Sequence, residues 1–121
     1  MKGIKLLLVG LALGSAGAMA EDCAAPEPPT LPDGGTGSYD DMIAGQGAVK
    51  TFQAANVEYM NCLDPQITAA TAAAEDENAS DEDKAKVKAL EEAYNAAVSQ
   101  EEALAGQFNT EIREYKEAHP N

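Results

Sequence analysis

Cys23 and Cys62 are the only thiols in the chain, and what they do to each other is the first chemistry to weigh. Their spacing excludes a C-x-x-C redox motif and a C-x-x-C-H haem attachment. Two cysteines in a chain with an export signal favour one disulfide over intermolecular pairing or a reactive thiol. His119 is the only histidine. With both thiols oxidised, one imidazole cannot complete a zinc site, and so near the end of the sequence it reads as part of an exposed, frayed tail. No serine or cysteine has a histidine and an acid in a visible triad arrangement.

The acidic stretch "EDENASDED", residues 75–83, is the next candidate. A calcium loop of EF-hand type needs glycine at its sixth position and a bidentate glutamate at its twelfth. Counted from Asp76, those positions hold Asp81 and Val87, so both requirements fail. Loose divalent-ion binding through Asp76, Asp81 and Asp83 is the sharper reading; helix capping and solvation are the plainer one. Glu91 with Glu92, and Glu101 with Glu102, are adjacent on a helix and diverge, so neither pair forms an acid–base dyad. Glu101 falls close to the apolar stripe, where its methylenes can pack while its head reaches water. Tyr39, Tyr59, Tyr94 and Tyr115 read as packing residues with a polar tip rather than as an aromatic ligand row. The expectation is no catalytic residue, no metal ligand and no cofactor.

The elements that would position these residues follow a secretory signal. Lys2 and Lys5 precede an apolar core, Leu6 to Leu13, and "AMA", residues 18–20, fits a cleavage site. That core is shorter than the roughly 20 residues of a membrane span, which disfavours an uncleaved anchor. Cys23 follows Glu21 and Asp22 instead of a small-residue cleavage site, which disfavours a lipid anchor. Without Lys2 and Lys5, six basic residues remain against 21 acidic ones, a net charge of −15. Such a chain repels nucleic acid and anionic lipid.

Residues 21–37 carry Pro26, Pro28, Pro29 and Pro32 before "DGGTG", the pattern of an extended polyproline II arm closed by a turn. Ser38 with Asp41 makes an S-x-x-D cap, and Met42, Val49, Phe52, Tyr59, Leu63 and Ile67 recur at helical spacing. Gly45 and Gly47 cost this helix about 1 kcal/mol each, and either delay its start or admit a close neighbour. Pro65 predicts a kink or a break. Ser80 with Asp83 repeats the cap, and Val87, Leu90, Tyr94, Ala97, Leu104, Phe108, Ile112 and Tyr115 make the second stripe. The expected layout is a signal peptide over 1–20, an arm over 21–37, a helix over 38–75, an acidic connector over 76–80, a helix over 81–117 and a frayed tail over 118–121. The fold class is all-α: a long antiparallel two-helix hairpin with the arm strapped back by one disulfide.

A connector centred near residue 78 places Phe52 by Leu104, Val49 by Gly106, Gly47 by Phe108 and Tyr59 by Ala97. It sets Asn56 against Ser99 and Gln100 as a polar step that fixes register. From Cys23 to Pro32 an extended arm covers about 28 Å. Ser38 to Cys62 is about 36 Å of helix, so with the turn added Cys23 can reach Cys62. Closing that loop is worth roughly 4 kcal/mol in the chain-entropy model.

"CAAPEPPTLPDG", "YMNCL" (residues 59–63) and "YNAAVSQEEALAGQFN" (residues 94–109) resemble small secreted α-helical proteins of Gram-negative bacteria, an uncharacterised group with a Cys/Pro-rich arm ahead of a helical hairpin. The resemblance covers most of the chain after the signal. It implies a periplasmic setting and carries over no activity or binding residue.

The functional expectation is a non-enzymatic periplasmic structural or protein-interaction module, pairing with itself or with another periplasmic protein. Neither nucleic acid nor, after signal cleavage, a membrane is expected as a partner. The alternatives are a chaperone-like binder of basic or unfolded clients and, behind it, a divalent-cation binder using the acidic connector.

Overall fold

A computed structural model describes residues 23–120; the signal-peptide expectation lies outside them. The protein is all-α, a helical hairpin of two helices with one disulfide: α1 spans Tyr39–Glu75 and α2 spans Asp81–Ala118. Both start on a reciprocal cap. The Ser38 amide donates to Asp41 Oδ2 at 2.9 Å and the Asp41 amide donates to Ser38 Oγ at 3.1 Å. Ser80 and Asp83 repeat the exchange, at 3.1 Å in each direction. Each cap satisfies amides that the first helical turn leaves unpaired, and aspartates in that turn suit the positive end of the dipole.

Pro65 does not divide α1, which continues through it to Glu75. The carbonyl of Asn61 lacks its usual amide partner there, a loss that the surrounding turns tolerate. The glycines do not delay the helix either, since α1 begins at Tyr39, ahead of both.

The chain divides into two compact units, each containing part of α1 and part of α2. One takes in Tyr59–Tyr94 with Cys23 and Ala24 of the described residues. Its core is small: Cys23, Leu63, Ala70 and Leu90 are buried, and Tyr59, Cys62, Ile67, Val87, Ala93 and Tyr94 pack around them. Leu63 is wholly enclosed. The segment that follows, "TAATAAA", residues 68–74, is rich in helix propensity and poor in apolar bulk.

The other unit takes in Ala25–Glu58 and Asn95 onward. Met42, Val49, Phe52, Leu104 and Phe108 form its core, with Leu31, Ile112 and Tyr115 against them. Fully burying each such large side chain is worth about 1.5–3 kcal/mol. The arm belongs to this packing. Leu31 joins the cluster, and Pro32 lies so close over Gly45 that a Cβ there would meet the proline ring at 2.7 Å and Phe108 at 3.1 Å. The close neighbour admitted by glycine is therefore at Gly45. Gly47 has open space, so the expected contact of Gly47 with Phe108 shifts by half a turn.

Burial along the arm repeats every three residues from Cys23 to Pro32, with Leu31 sheltered as well. Cys23, Pro26, Pro29 and Pro32 are sheltered, while Ala24, Ala25, Glu27, Pro28 and Thr30 are exposed. Three is the period of polyproline II, so Pro26, Pro29 and Pro32 lie on the face of the ribbon turned to the protein and Pro28 on the face turned to water.

Candidate interaction surface

Cys23 Sγ and Cys62 Sγ are bonded, with the Cα atoms 5.7 Å apart and 39 positions separating them in sequence. Gln66, one helical turn beyond Cys62, donates from Nε2 to Cys23 Sγ at 3.2 Å. The bond is covered and belongs to a packed core, which fits a structural staple rather than a working redox centre.

The single buried polar residue among those described is Asn56, 1 % exposed. Its Nδ2 donates to the Ala97 carbonyl and to Glu101 Oε1, both at 3.0 Å. This corrects the expected partners, Ser99 and Gln100. At 100° per residue those two point away from α1, whereas positions 97 and 101 are one turn apart on the same face. Glu101 thus spends its carboxylate on Asn56 instead of on water alone. The amide has two hydrogens and two acceptors, so the polar step is paired on its donor side.

Two acids of the connector, Asp76 and Asp83, are engaged in local structure. Asp76 Oδ1 accepts from the Asn78 amide at 2.8 Å, and Asp83 is taken up in the Ser80 cap. A different set of acids comes together at the turn after the arm. Carboxylate oxygens of Asp33, Glu111 and Glu114 lie within 4.8 Å of one another. Gly34 places them: its amide donates to Glu111 Oε1 at 2.7 Å, and a Cβ on it would fall on the Glu111 carbonyl. Asp33 Oδ1 also accepts from the Gly35 amide at 2.8 Å. The Glu114 carboxyl is held above its ordinary value of 4.5, first by the charge of Glu111, then by desolvation, a hydrogen bond with Glu111, and the charges of Asp33 and Glu117. Three clustered carboxylates suit a hard cation by type. Here their positions follow from the turn packing against α2.

His119 is exposed, one residue past the end of α2. Its amide donates to the Tyr115 carbonyl at 2.9 Å, and its ring stacks on Tyr115 with centroids 4.1 Å apart.

The largest apolar exposure lies on α1 beside the core stripe. Tyr39 is 64 % exposed, Ile43 47 % and Val57 46 %. Tyr39, Met42, Ile43 and Gln46 meet Phe108, Ile112, Tyr115 and Lys116 in an open groove of about 240 Å³. No acid lines it. From Met42 to Val57 the sole charged residue is Lys50, in a chain with 21 acids. The opposite flank of α1, at Ala44, Gly45 and Ala48, is where Thr30, Leu31 and Pro32 of the arm sit. In the unit of Tyr59–Tyr94, a depression of about 190 Å³ is lined by Gln66, Ala69, Ala70, Ala73, Asp83 and Lys86, without a large apolar anchor.

Comparison with protein-family models, curated proteins and solved structures finds no match. Among the described residues, no helix is long and apolar enough to cross a membrane.

Proposed function

We propose that this chain is a non-enzymatic protein-interaction module of the periplasm, with the groove at Tyr39, Ile43, Phe108 and Ile112 as its contact surface. The observation that carries the reading is the exposure of Tyr39 and Ile43 on a helix whose own core stripe is already covered. Contiguous apolar exposure of that kind marks contact sites on water-soluble domains. The signal-like N-terminus and the Cys23–Cys62 bond support an oxidising, exported setting. A client binder drawing on acidic faces has no support at this groove, because the lining carries no carboxylate.

The test is a tagged, oxidised copy recovered from its native compartment and weighed with whatever it holds, beside an Ile43→Glu variant. Ile43 is exposed, so the variant should fold, which helicity and melting would verify. The expected result is a stoichiometric complex, with itself or with another protein, that the variant loses. A monomer without a partner, or a complex indifferent to Ile43→Glu, overturns the reading.

A further inference from the structure

Six residues on α1 form a second stripe beside the buried one: Tyr39, Ile43, Gln46, Lys50, Gln53 and Val57. They are spaced by four, three, four, three and four, the alternation that keeps side chains on one helix face when two helices pair. Gln53 is half-buried and the other five are exposed. The buried stripe of the same helix runs through Met42, Gly45, Val49, Phe52 and Asn56, each one position before a member of the second.

We infer that this stripe pairs antiparallel with the same stripe of a second copy of the chain. Two properties select that occupant, given the reading of the region as a contact surface. The first is charge. Two copies that each carry a net −13 repel wherever carboxylates meet, and the stripe contains none. A cationic partner would find no complementary charge on it. The second is the order of residues. Reversed about position 48, the stripe sets Tyr39 against Val57, Ile43 against Gln53 and Gln46 against Lys50. A two-fold interface requires such self-complementarity, since each contact occurs twice with its members exchanged. Apolar ends meet there, and the Lys50 ammonium finds the side-chain carbonyl of Gln46. Parallel pairing in register would instead oppose Lys50 to Lys50 and leave both ammonium groups facing each other. The groove beside the stripe, with Phe108 and Ile112, gives Tyr39 and Ile43 an apolar rim that extends the contact.

The experiment is the mass in solution of the oxidised protein after signal cleavage, measured over a wide concentration range and at low and high salt. The expected result is a dimer that tightens as salt is added, because salt screens the general repulsion and the interface has no attraction between opposite charges to lose. Ile43→Glu combined with Val57→Glu should weaken it by at least about 100-fold. A photo-reactive phenylalanine analogue in place of Ile43 should cross-link near Gln53 of the partner subunit, which reads the register directly in otherwise unaltered protein. A monomer at every concentration overturns the inference, as does cross-linking to Ile43 of the partner subunit or a dimer that the double variant leaves intact. A monomer that still captures a different protein through Ile43 would overturn the pairing and leave the interaction reading standing.

Discussion

The two compact units are built from the same pair of helices and held by different means. In the unit of Tyr59–Tyr94, the buried positions are Leu63, Ala70 and Leu90, and the covalent bond between Cys23 and Cys62 stands beside them. In the unit of Ala25–Glu58 and Asn95 onward, Phe52, Phe108, Leu104 and Met42 supply bulk, and the arm adds Leu31 and Pro32. Where side chains are small the chain is stapled; where they are large they pack, and one buried amide sets the register. A hairpin of only two helices buries little per residue, so each part needs its own source of stability.

The largest expected effect tests the staple. Cys62→Ser should lower stability by about 4 kcal/mol in the chain-entropy account. Amide exchange should rise first across Tyr59–Tyr94. Phe52→Ala comes next, at about 3 kcal/mol from lost burial and the cavity left behind. Its exchange increase should centre on residues 39–58 and 95–118. Melting curves and exchange maps of the two variants check both expectations; if the maps coincide, the contrast fails and the chain opens as one cooperative body.

Asn56→Ala should cost about 2 kcal/mol, because it strips a donor from the half-buried Glu101 carboxylate. Adding Glu101→Ala should recover part of that loss, and a double-mutant cycle by denaturant unfolding measures the coupling. Additive losses would show that the pair does not act together.

The smallest effect is at the acidic turn. Folded Glu114 holds its proton more tightly than an ordinary glutamate, so ionising it costs stability. That cost is absent below the ordinary value of 4.5, grows as pH rises through the raised folded value, and is complete above it. Glu114→Gln should therefore melt slightly higher than the parent at neutral pH, and the difference should vanish in acid. A difference that grows in acid would contradict this origin.

Much of the fold is legible because it is local. The two S-x-x-D caps, the apolar spacing of each helix and the polar connector all lie within a few residues of what they specify. The disulfide is legible from arithmetic, there being only two cysteines to join. What depends on the rotation of one helix against another is not. The expected level of Asn56 was right, position 99 lying midway between Ala97 and Glu101, but which residues at that level face α1 was not, and Gly47 stood in for Gly45 in the same way. The meeting of Asp33 with Glu111 was out of reach for the same reason, 78 positions of sequence separating them. The exposed stripe could have been read from its spacing. Its apolar members are fewer and interrupted by Gln46, Lys50 and Gln53, so the core stripe one position away dominates the pattern.

The bond between Cys23 and Cys62 makes a covalent ring of the arm and the first part of α1. Ala24, Ala25, Glu27 and Pro28 are on the outer face of that ring, open to any protease the protein meets. A single cut among them opens the ring without releasing a piece, since both ends of the break remain joined through sulfur. Such a nick would be silent on a gel run without reductant and would shed the short N-terminal fragment only when the bond is reduced. For a protein exposed to proteolysis, a lesion that would otherwise release the residues ahead of the cut becomes a scar in a chain still in one piece.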